Sequence, residues 1–346
     1  MENLLNMFGL NSDQLEILYS IEHILTKRDI DKSPKSAPCK EKWLNQWLQT
    51  LDDAMYTNSD MRVFDERTIV DAIKTASNKS ASNTWFYLVM LEAALFSAYF
   101  PLDEDKENTK AYSKLKYKQD TDYLKQLADA TGLMDGKYID RYLKTYEKMY
   151  RKISGKSAKT IITSVSILAV TAIAAALAAI FAGPIAVAIF GANFEFYGAA
   201  LTSACLAMAG GGAIGIGGGM AFGVVAIAGG GALLGAAGSG ATAAAVLAFA
   251  KSSPEFTLSQ TVKLEVVMRE ILLNAQHDTE SAQTVIARLQ DQVKGLQQEL
   301  SQLQAEQRKD KEAIQNLKKS IDMISKAVKD MVIFKSSFEI GMDNAG

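Results

Sequence analysis

The sequence predicts an all-α protein built from three unlike parts. Apolar residues recur at helical spacing through both flanks, with no sustained period-two alternation that would argue for strands. A nearly chargeless Gly/Ala-rich block fills the middle, and an apolar repeat of three and four residues runs through the C-terminal part. The 346 residues carry 37 Lys plus Arg against 39 Asp plus Glu, a net charge of −2. That average hides a partition. Residues 1–160 hold 24 basic and 24 acidic side chains, residues 251–346 hold 13 and 14, and residues 161–250 hold one charge, Glu195. Balanced flanks argue against a nucleic-acid binder with a basic surface.

Residues 1–101 are expected to form a soluble helical domain. Leu15, Ile17, Leu18, Ile21, Ile24 and Leu25 define one helix face, and Trp43, Leu44, Trp47, Leu48 and Leu51 another. Pro34 and Pro38 among Lys and Ser mark residues 29–40 as a loop. Residues 64–76 suit a third helix. Residues 85–100 read as a richly apolar helix ended by Pro101; at 16 residues and with Glu92 inside, it suits a core better than a membrane. Residues 102–160 read as a charged connector broken near Gly132 and Gly136. The connector ends in a basic juxtamembrane collar that includes Lys144, Lys148, Arg151, Lys152, Lys156 and Lys159. Tyr138, Tyr142, Tyr146 and Tyr150 stand at strict four-residue spacing within it. That stripe suits a headgroup interface or a packed helix face.

Residues 161–250 are expected to be the membrane region. Gly and Ala supply 46 of these 90 residues. Residues 161–182 are long enough to cross a hydrocarbon core of about 30 Å. Gly183 and Pro184 mark a break, and the polar island GANFEFYG holds Glu195 at a hairpin tip or in a pore. The 52 residues 199–250 suit two further passes. Gly211, Gly215, Gly219 and Gly223 form linked GxxxG steps, and Gly231 and Gly235 add another, giving a small-residue face for helix packing in lipid. Two or four passes put both flanks on one side, and the collar predicts that this side is cytoplasmic. The N-terminal stretch MENLLNMFGLNSDQ has an early acid and no basic, apolar leader pattern, so no Sec-type signal peptide is expected.

Residues 251–346 read as a long helix or coiled coil. Its seam runs through Leu296, Leu300, Leu303, Ile314, Leu317, Ile321, Ile324 and Val328, with Gln307 and Asp310 as polar exceptions, and fits a coiled coil or a very long antiparallel helix.

Catalytic motifs are scarce. Gly210, Gly212 and Gly215 match GxGxxG but lack a βαβ context, and GKSAKT at 155–160 would need Gly where Tyr150 stands to be a phosphate loop. His23 and His277 belong to no metal-spaced cluster, and Cys39 and Cys205 form no CxxC site. The acidic pairs Asp52–Asp53 and Asp65–Glu66 fit solvated faces. No enzyme, cofactor, metal or nucleic-acid partner is expected.

The layout of soluble helices, long apolar Gly/Ala region and long helix resembles the α-helical pore-forming toxins, whose soluble body hides an apolar head. The stretch GGGAIGIGGGMAFGVVAIAGGGALLG resembles glycine-rich spans of small interferon-inducible membrane proteins and of bacterial membrane proteins. The resemblance implies a membrane-inserting, pore-forming or membrane-disrupting effector of the toxin or cell-suicide defence type. Its partners would be an anionic leaflet and other copies of itself, with a protein partner at residues 1–100 or the coiled coil. It would sit in a bacterial inner membrane, or in the cytoplasm at rest. The alternative is a constitutive membrane-anchored scaffold that recruits a partner through its coiled coil.

Overall fold

A computed structural model describes residues 12–55, 62–100, 102, 106–155, 254–305 and 311–343. The glycine face, Glu195, Lys156, Lys159, Cys205, Gln307 and Asp310 lie outside the described residues. The described chain is helical, with no strand. In order come α1 (Ser12–Asp31), α2 (Ala37–Met55), α3 (Ile69–Asn78), α4 (Thr84–Leu95), α5 (Lys106–Tyr112), α6 (Thr121–Thr131) and α7 (Lys137–Ser154). After residues 156–253 follow α8 (Pro254–Val266), a π-helical continuation (Val267–Leu273), α9 (Thr279–Ala305) and α10 (Lys311–Asp343). Among the described residues, no helix is long and apolar enough to cross a membrane.

The N-terminal half packs around α1 and α4. The expected face of α1 is buried at Ile17, Leu18, Ile21, Ile24 and Leu25. Ser20 and Thr26 are also buried there and return their hydroxyls to the carbonyls of Glu16 (2.6 Å) and Glu22 (2.8 Å), so neither hydroxyl is left unmet. Helix α4 is buried on nearly every side, as a helix apolar all round must be. It lies against α1, α6, α7 and the π segment.

Several element boundaries differ from the sequence expectation. The proline loop is short, because α1 runs to Asp31 and Pro38 sits in the first turn of α2, where its missing N–H is not needed. The third helix starts at Ile69 rather than residue 64. Asp65 holds the preceding turn, its carboxylate accepting from the N–H groups of Arg67 and Thr68, both at 3.0 Å. Helix α4 stops at Leu95, well before Pro101, with Phe96 extended and Tyr99 at φ 71°. Leaving the helix lets Tyr99 and Phe100 meet Trp43 edge-on at 5.4 and 5.2 Å. It also lets Trp43 Nε1 donate to the Phe100 carbonyl at 2.6 Å. Beneath them the buried pair Lys40–Asp29 closes at 2.5 Å, and Asp29 also accepts from the Tyr99 hydroxyl at 2.6 Å.

The break near Gly132 and Gly136 is present. Gly132 ends α6 at φ 70°, the left-handed region that suits glycine. Gly136 marks a close approach, since a Cβ there would lie 2.6 Å from the Lys125 carbonyl oxygen. Asp120 caps α6, accepting from the Tyr123 N–H at 3.1 Å. Gly155, the start of GKSAKT, is a helix end at φ 70°.

The C-terminal repeat is met within the chain. Helices α9 and α10 pack on each other, and Val293 of one and Val328 of the other line a shared groove. His277, just before α9, lies 6.0 Å from Phe338 near the end of α10, so the pair is antiparallel. Leu296, Leu303, Leu317, Ile324 and Val328 are buried, and Leu300, Ile314 and Ile321 pack half-buried against them. Helix α10 also lies along α8, so the hairpin is part of the body.

Candidate functional site

The site of interest is the place where the apolar block joins the body. Helices α7 and α8 run antiparallel, and their contacts record the register. The Tyr138 hydroxyl donates to the Asn274 carbonyl at 3.4 Å. Arg141 Nε and the Thr145 hydroxyl reach the two oxygens of Glu270 at 2.8 and 2.7 Å. The Tyr146 hydroxyl meets Ser259 Oγ at 3.3 Å. Rising numbers on α7 meet falling numbers along α8 and its π-helical continuation, so the C-terminal end of α7 lies beside the N-terminal end of α8. Gly155 and Pro254, the described residues on either side of 156–253, therefore lie at the same end of the α7–α8 pair.

Two ionic groups lie further along α8 and its π-helical continuation. On one side Arg269 of the π segment donates from Nε to Glu265 Oε2 at 2.8 Å and from a terminal nitrogen to Asp330 Oδ2 at 2.7 Å. Its guanidinium lies 4.1 Å from the Phe334 ring centre. Lys152, at the end of α7, pairs with the other oxygen of Asp330. Glu265 is fully enclosed and its Oε1 has no hydrogen-bond partner. Burial pushes its carboxyl up to about 7, against the pull of Arg269 and with a smaller push from Asp330.

On the other side, Lys263 Nζ donates to Glu92 Oε2 at 2.5 Å, joining α8 to α4. Glu22 of α1 is buried nearby. Burial first, and then the Glu92 carboxylate, push Glu22 well above the usual range, against Lys263. Two buried acids thus share one buried base. Burial works to lower Lys263, but Glu92 outweighs it and holds the ammonium above its ordinary value.

The sequence-derived collar divides here. Lys144, Lys148 and Arg151 are exposed, and Arg151 pairs along the helix with Glu147 at 2.9 Å. Lys152 is exposed as well, and its ammonium also pairs with Asp330 of α10. The tyrosine stripe is a packed face rather than a headgroup interface. Tyr142, Tyr146 and Tyr150 are buried, and the Tyr142 hydroxyl reaches the Tyr87 carbonyl at 3.4 Å. The reason is α8, which occupies the side of α7 that lipid would have needed. Glu66, read from sequence as solvated, is half engaged by Arg28 at 2.9 Å.

Sequence reasoning missed Glu22, Lys263, Glu265, Arg269 and Asp330. A usable signal existed in KLEVVMREILL, where four charges interrupt an apolar run. His23 is half-buried on α1, lowered to about 4 by burial and then by Lys27, and neutral at pH 7. Among the described residues no group of three or more His, Cys, Asp or Glu could hold a metal ion. No protein-family model, curated protein or solved structure matches the chain, so its functional reading rests on these residues and their arrangement.

Proposed function

We propose that the protein is a membrane-inserting effector that permeabilises a bilayer, of the toxin or cell-suicide defence type. The helical body carries residues 161–250 as cargo and holds both of their ends. The observation that carries this reading is the antiparallel pairing of α7 with α8, which sets Gly155 and Pro254, on either side of the stretch that holds a block with one charge in 90 residues, at the same end of the pair. An even number of passes needs that arrangement, because both ends must stay on one side. Exposed Lys144, Lys148 and Arg151 on α7 give the same end a positive face toward anionic headgroups, each worth about 1 kcal/mol near such a surface. Inside the bilayer, the faces of Gly211–Gly215–Gly219–Gly223 and Gly231–Gly235 would let helices approach closely and assemble. Insertion and assembly dissipate ion gradients without any catalytic residue.

The test is expression in bacteria with fractionation and a membrane-potential dye. The effector reading expects membrane association and depolarisation, and depolarisation lost when the small faces are filled by Gly215→Leu and Gly219→Leu. A second reading, a permanently anchored scaffold, draws on the exposed Val332, Ile333, Ile340 and Met342 of α10, an apolar edge open to a partner. It expects membrane association with the potential intact.

A further inference from the structure

Four charged side chains from four helical segments converge on one side of α7. They are Lys152 of α7, Glu265 of α8, Arg269 of the π segment and Asp330 of α10. Lys152 lies two residues before the last residue of α7, so whatever holds it holds one end of the block. Glu265 and Arg269 lie on the helix that begins at the other end. Asp330 bridges the two by accepting from both Lys152 and Arg269.

We propose that these four residues form a proton-linked clasp that ties the C-terminal part of α7, the helix leading toward the apolar block, to α8, the π segment and α10, with Glu265 as the group that takes up and releases the proton. The asymmetry of its carboxyl is the reason. Oε2 receives the Arg269 Nε–H, while Oε1 is buried with no donor. With a proton on Glu265 the unmet oxygen belongs to a neutral group, and Arg269 keeps Asp330 as its counter-ion. Without the proton, part of a negative charge rests on an oxygen that neither water nor a donor reaches, and separating α7 and α10 from α8 relieves it. The groups that face Glu265 are Lys152 from α7, Asp330 from α10 and Arg269 from its own helix. On α4, Glu92 is engaged with Lys263. The described buried positions of α9 are the apolar Ala282, Val285, Ile286, Leu289, Leu296 and Leu303. The raised value near 7 places the change at neutral pH and supports the geometry.

The sign follows from linkage. A carboxyl raised in the folded state favours the closed clasp fully below its ordinary value of 4.5, and that preference is lost as pH rises toward 7. The opening equilibrium should rise roughly fortyfold between pH 5 and pH 7 and less than twofold from pH 7 to pH 8. The clasp is a property of the body and stands whether or not the block inserts.

The experiment is hydrogen exchange of the full chain without lipid, read on peptides covering residues 140–155 and 254–273 and corrected for the intrinsic pH dependence of amide exchange. Wild type should show the rise and the plateau. Glu265→Gln should stay closed and nearly flat from pH 5 to pH 8. Asp330→Asn, which removes the neighbouring negative charge, should move the rise to lower pH. A flat wild-type profile, or a Glu265→Gln profile with the wild-type slope, overturns the clasp. Should Glu265→Gln fail to fold, the carboxyl carbon of Glu265 in wild type decides by its NMR titration. A midpoint near 7 supports the clasp and one near 4.5 overturns it.

Discussion

Replacing Lys263 with Met removes the base that the acids Glu92 and Glu22 share in the interior between α1, α4 and α8. Glu92 is 4% exposed, and the Lys263 side chain 14%. Across their 2.5 Å contact the gross attraction is about 7 kcal/mol at an effective dielectric of about 20. Much of that offsets desolvation, so the net quantity to expect is the cost of breaking a buried pair, about 3–5 kcal/mol. Glu92→Gln should cost less, about 1–3 kcal/mol, because Glu22 can then ionise and serve as counter-ion to Lys263. Urea unfolding followed by tryptophan fluorescence reads this directly, since the chain's three tryptophans, Trp43, Trp47 and Trp85, are all buried in the same half. A Lys263→Met variant within 1 kcal/mol of wild type at pH 8, or a Glu92→Gln variant that costs more than Lys263→Met, would refute the reasoning.

Other perturbations probe separate parts. Burial raises Glu22, so the stability tied to its proton is complete below 4.5 and is lost as pH climbs through its raised value; Glu22→Gln should make alkaline unfolding less steep in pH-dependent melts. Gly136→Ala should lower the melting temperature by an amount equivalent to about 1–3 kcal/mol, because its Cβ meets backbone, whereas Gly295→Ala, with open space around it in α9, should gain about 0.5–1 kcal/mol. Burial works to raise Asp120, but hydrogen bonds from Lys32, the Tyr123 N–H and Arg28 hold it at about 2. Its contribution is therefore present above the ordinary carboxylate range and lost as pH falls toward 2, and Asp120→Ala should cost about 1–2 kcal/mol at pH 7 and little near pH 2, measured by urea titration. Leu317→Ala, at a fully buried seam position, should cost about 2–5 kcal/mol in the same assay.

Much of the architecture could be read from local pattern. The faces of α1 and α2 and the seam of α9 and α10 follow from spacing alone, because each buries one side against a neighbour. Glu92 rightly argued that its apolar helix belongs to a core, but its partner Lys263 stands 171 residues away, beyond any local pattern. The unwinding of residues 96–100 was hidden for a similar reason, since those residues could continue a helix and only the rings around Trp43 draw them out of it. The tyrosine stripe on α7 was ambiguous because the same side chains suit a wet interface and a packed seam. What resolved it is the return of the chain as α8, a fact of topology. The pairing of Lys152 with Asp330, 178 residues on, lies equally beyond local pattern, while Lys148 four residues before it is exposed.

The most direct test of the account is dye release from anionic liposomes by the purified full-length chain. The account predicts release that rises steeply with protein concentration and is abolished by Gly215→Leu with Gly219→Leu, while the body of that variant keeps its wild-type tryptophan emission. Liposomes that stay sealed at every protein concentration and in every oligomeric state would contradict it.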